Sequence, residues 1–145
     1  MKNVLVLVLC MVTGLCYGQQ KKIDYQLIKR ADKSGWYSAI VREINPAKDD
    51  YKAYCRYIVA DAEKKIGNDQ FVICIYDSKK ARDIYDITYT KRILSKDERN
   101  YMYTHTVALY SGKMPVDGMD YELSFYTDCV GTDKAKYRGR EVFKP

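Results

Sequence analysis

Residues 71 to 86 read FVICIYDSKKARDIYD, and how this stretch is divided decides the fold. Phe71 to Tyr76 is apolar at every position and rich in β-branched and aromatic side chains, so it reads as a strand. A strand without polar alternation is covered on both faces, which makes residues 70 to 76 the central strand. The run stops at Asp77 and Ser78. Either residue is suited to cap the first amides of a following helix, and residues 79 to 87 read as that helix. The break is not a phosphate cradle or a nucleophile elbow, because both need glycine and residues 71 to 86 have none.

Upstream, residues 47 to 66 change period. Tyr51, Cys55, Ile58, Ala62 and Ile66 recur every three or four residues, which predicts the long helix of the chain. Asp49 and Asp50 suit its positive end, Lys64 and Lys65 its negative end, and Gly67 its left-handed stop. Before it, residues 24 to 30 and 36 to 44 flank the turn-forming ADKSG and read as a β-hairpin, ended by Asn45 and Pro46. Downstream, Ser95 and Glu98 have the spacing of a capping box and start a short helix near residue 96. HTVALY (105 to 110) and DYELSFYT (120 to 127) read as strands around the loop SGKMPVDGM, and residues 137 to 143 as a closing edge strand. The expected fold is α+β: a mostly antiparallel sheet of about five strands packed on one long helix, in the order ββαβ-α-βββ.

The chain opens MKNVLVLVLCMVTGLCYGQQKK: basic Lys2, an apolar run from Val4 to about Leu15, small residues at Cys16 and Gly18, then polar sequence. This is the layout of a secretory signal peptide. Its apolar run falls short of the ~20 residues that span a bilayer. Residues 1 to 18 are therefore read as a signal, and 19 to 145 as a single domain. A lipid anchor on Cys16 is the less favoured reading, since Leu15 stands where such signals carry a small residue. The expected location is periplasmic or extracellular, with no membrane-spanning segment after cleavage.

The formal net charge is +6, one unit of which goes with Lys2. Lysine and arginine alternate with aspartate and glutamate (KRADKSG, KKARDIYD, DKAKYRGRE), the pattern of a solvated mixed surface rather than a nucleic-acid patch. Beyond the signal three cysteines remain, Cys55, Cys74 and Cys129, too widely spaced for a CxxC or zinc motif. Cys55 and Cys74 fall on apolar positions and read as core residues, with one bridge among the three left open.

Catalytic signals are sparse. The single histidine, His105, starts a strand, and no sequence motif links it to Ser111 or a cysteine. Asp83 with Asp86 and Asp117 with Asp120 are carboxylate pairs, but both stand among polar residues, where solvation explains them. VDGMD lacks the oxygen ladder of a calcium loop, and neither a cofactor nor a metal is expected. Fifteen tyrosines are the surplus. Tyr54 and Tyr57, off the apolar stripe of the long helix, and Tyr101 and Tyr103 are the candidate binding residues, because tyrosine offers area and a hydrogen bond at low entropy cost.

A signal ending Cys16-x-Gly18 before Gln19, then a hairpin, a helix and a central strand, resembles the small exported domains of unknown function common in Gram-negative bacteria. The resemblance covers most of the chain and is architectural, so it transfers no functional residue. The expected function is non-catalytic: an exported binding or inhibitor-like domain recognising a protein or an envelope component. The alternative is a small secreted hydrolase using His105 or a carboxylate pair.

Overall fold

The structure is a computed structural model, and it describes residues 23–31, 33–42, 50–88, 92–113, 120–127 and 136–145. The expected signal peptide, Cys16, Asn45, Pro46, Asp49, Asp117 and Cys129 lie outside the described residues.

Among the described residues the architecture is α+β, a mixed sheet of six strands with three helices. Strands β1 (Tyr25–Lys29) and β2 (Trp36–Val41) form an antiparallel hairpin. Helix α1 (Tyr51–Ile66) then carries the chain back, so that β3 (Val72–Tyr76) runs parallel to β2. This pairing is parallel and the other four are antiparallel, so the sheet is mostly antiparallel as expected but mixed. Helices α2 (Lys79–Thr88) and α3 (Lys96–Thr104) follow. A meander of β4 (Thr106–Ser111), β5 (Glu122–Thr127) and β6 (Lys136–Val142) then completes the order β1-β2-β3-β4-β5-β6. The described sheet has six strands, because residues 136 to 142 pair antiparallel with β5 on both sides of a register shift between Ser124 and Tyr126.

The alternation of β3 distributes the core. Ile73 and Ile75 point to one face, where they pack with Cys55, Ile58, Val59 and Ala62 of α1, with Tyr110 and with Phe125. Cys74 and Tyr76 point to the other, against Ala81 and Tyr85 of α2 and Tyr101 of α3. Ile84, Leu94 and Met102 join α2 to α3. The expectation of a sheet packed on one long helix is thus replaced by a sheet with helices on both faces, which is what an uninterrupted apolar β3 requires. Burying each isoleucine of β3 is worth about 2 kcal/mol.

Local signals set the ends. Asp50 accepts the Ala53 amide at 3.1 Å at the start of α1, and Gly67 stops it at φ 81° with its amide on the Glu63 carbonyl at 2.8 Å. Ser95 and Glu98 close a reciprocal capping box at 3.2 and 2.9 Å. Arg56 clamps α1 to β6 through two bonds to Glu141, at 2.6 and 2.7 Å. Cys55 and Cys74 are free and buried on opposite faces of the sheet, and burial pushes their thiols up to about 12 and about 11.

Candidate functional site

The crossover creates a crevice. From the adjacent parallel strands β2 and β3 the chain leaves to opposite faces, toward α1 and toward α2. In open α/β sheets, ligands settle outside the carboxyl ends of parallel strands at such a divergence, and the β2–β3 pair offers the same local arrangement. Here an open cleft of about 520 Å³ occupies that position. Ile40, Val41 and Arg42 line it from the end of β2, Asp24, Tyr25 and Gln26 from the start of β1, and Asp77 and Lys79 from the end of β3. Two carboxylates and two cationic side chains therefore face a small volume.

One wall is anchored by a pair that the sheet register brings together. From Val72 to Ile75, β3 pairs in step with β4, but Ile75 faces Ala108 and Tyr76 faces Thr106, so Val107 is an extra residue. This bulge advances β4 by one position, and His105 comes opposite Asp77. The Asp77 amide donates to the His105 carbonyl at 3.2 Å, and the His105 Nδ1 lies 2.7 Å from the Asp77 Oδ1. Both side chains are about 30% exposed, at 32% and 28%. Burial raises the Asp77 carboxyl above its ordinary value, and the His105 bond opposes that shift.

Tyr101 supports the pair from α3: its ring lies 4.3 Å from the imidazole, tilted by 40°, and its hydroxyl is 3.1 Å from the Ser78 Oγ. Ser78 also accepts the Ala81 amide at 3.4 Å, and its carbonyl takes the Arg82 amide. Ser78 is therefore the cap of α2, which leaves the Asp77 carboxylate for His105. Lys80 sits over the Tyr101 ring at 4.5 Å, and Lys79 bonds Asp83 at 2.9 Å.

The four candidate tyrosines do not share one patch. Tyr54 and Tyr57 are half-buried on α1 against the first core cluster. Tyr101 and Tyr103 are half-buried on α3, beyond the sheet, against the second and third clusters. Tyr101 alone reaches the Asp77–His105 pair. The carboxylates Asp83 and Asp86 are taken up by Lys79 and Arg82. Among the described residues no group of three His, Cys, Asp or Glu side chains converges as a metal site, and no helix is long and apolar enough to cross a membrane.

Sequence reasoning weighed His105 as a lone residue and Asp77 as a cap. The signal that joins them is the antiparallel turn-back of β4 onto β3, which sets the end of one beside the start of the other. The bulge that completes the alignment leaves no trace in composition. No protein-family model matches this chain, no curated protein is similar to it, and no solved structure matches it.

Proposed function

We propose that this is an exported, non-catalytic binding domain that recognises a protein or envelope component through the cleft at the carboxyl ends of β2 and β3. The observation that carries the reading is the crevice itself: an open volume at a topological divergence, walled by Asp24, Arg42, Asp77 and Lys79. Charges of both signs around one cavity select an occupant by complementarity and disfavour partners of a single sign. Export rests on the signal-like opening of the chain. A capture experiment from envelope extract tests the reading. The wild-type protein and a far-side Lys113→Glu variant retain one stoichiometric partner, and an Asp24→Lys/Arg42→Glu variant loses it. Equal capture by all three, or none by any, overturns it.

One observation favours a second reading, a hydrolase using His105. An aspartate bonded to the Nδ1 of a histidine fixes that ring's orientation, as a general base requires. Against it, the nearby Ser78 hydroxyl is engaged by Tyr101 and by the amide of Ala81. Loss of an ester- or amide-cleaving activity in His105→Ala at unchanged melting temperature would establish the hydrolase.

A further inference from the structure

We infer that the cleft takes a ligand bearing an ammonium group, seated on Asp77, with an anionic group a few atoms away on Arg42; this rests on the cleft being the binding site. Asp77 is a prepared acceptor. Its Oδ1 is held by His105 and its backbone amide by the His105 carbonyl, so one residue fixes Asp77 by both its side chain and its backbone. The Oδ2 takes no part in the His105 bond, and Asp77 lines the cleft. Partial burial makes the carboxylate hold a proton more tightly than usual, and an ammonium supplies the positive charge that the surroundings withhold.

His105 is a positioning residue for this site. Its Nδ1 faces Asp77, while the Tyr101 ring, tied to Ser78, holds the imidazole in place. Such a supporting shell removes the ordering cost that binding would otherwise meet. The charges around the pair agree with an ammonium at Asp77. Asp24, exposed just before β1, adds a second negative charge to the cleft. Lys79 is drawn to Asp83, and Lys80 lies over Tyr101. Arg42, exposed at the end of β2, is the cation placed to meet an anionic group. A lysine-like or other amino-carboxylate compound has both charges on one short frame.

Amide-shift titration of the isotope-labelled full chain with two probes tests this: Nα-acetyl-lysine, and Nα-acetyl-norleucine, which matches its shape without the ammonium. Nα-acetyl-lysine is expected to shift the amides of Gln26, Ile40 and Asp77 and to bind about tenfold more tightly than the norleucine probe. Asp77→Asn loses that advantage at unchanged melting temperature. His105→Ala weakens binding by a similar factor. His105→Asn, which restores a donor near the Nδ1 position, recovers the affinity. Equal shifts of the same amides by both probes sink the ammonium assignment and leave the cleft standing. Shifts confined to α1 or α3 sink both. Silence from both probes sinks the ammonium assignment, and the capture experiment then judges the cleft separately.

Discussion

Asp69 and Asp77 bracket β3, one before it and one after it, and each makes a short side-chain bond across the sheet. Asp69 takes the Tyr121 hydroxyl at 2.5 Å, and Asp77 takes His105 at 2.7 Å. Their proton affinities move in opposite directions. The Tyr121 bond holds the Asp69 carboxyl below its usual range, whereas burial pushes Asp77 above it. Around Asp69 the chain is laced by backbone bonds: Lys113 to the Asp69 carbonyl at 2.9 Å, Gly112 to the Phe71 carbonyl at 2.8 Å, and Phe143 to the Tyr121 carbonyl at 2.7 Å. Around Asp77 there is a cleft. One end of the sheet is spent on closure, and the other keeps a charged group available.

The largest expected effect breaks the closed end. A Cβ on Gly112 would meet the Asp69 carbonyl oxygen at 2.1 Å, which is backbone and cannot swing away. Gly112→Ala should cost about 3 kcal/mol in chemical unfolding. Next comes the contrast between the clamping bonds. Tyr121→Phe should lower the melting temperature and leave Nα-acetyl-lysine binding unchanged, while His105→Ala should do the reverse.

Acid titration sharpens the comparison further. A carboxyl lowered on folding adds stability that is present above its unfolded value, near pH 4, and is lost as pH falls through its folded value. A carboxyl raised on folding adds stability that is present below its unfolded value and is lost as pH rises through its folded one. Asp69→Asn should therefore flatten the acid limb of a melting-temperature profile. Asp77→Asn should steepen it, because Asp77, whose carboxyl is raised on folding, offsets part of the acid loss as pH falls toward its unfolded value. The smallest effect belongs to Gly67, at φ 81° with open space around the position of a Cβ. Gly67→Ala should cost about 1 kcal/mol, read from urea denaturation, with no change at the cleft.

What the sequence disclosed follows from how local each determinant is. Gly67 as a helix stop and the Ser95–Glu98 capping box are written in a few adjacent residues, and both occur as read. Burial of β3 on both faces was legible from six apolar residues in a row. The parallel pairing of β2 with β3 depends on where α1 deposits the chain, which periodicity does not encode. The site was less legible still. Asp77 and His105 stand 28 positions apart and meet only because Val107 bulges out of the β4 ladder. For the tyrosines, the spacing on each helix was visible, but the sheet that separates α1 from α3 was not.

Labelling the isoleucine methyls and tyrosine rings with carbon-13 and adding the fraction of envelope extract that the protein retains tests the central claim most directly. The account predicts movement of Ile40 and Tyr25 at the cleft, with Tyr54 and Tyr103 unmoved. Movement of Tyr54 or Tyr103 with Ile40 silent would contradict it.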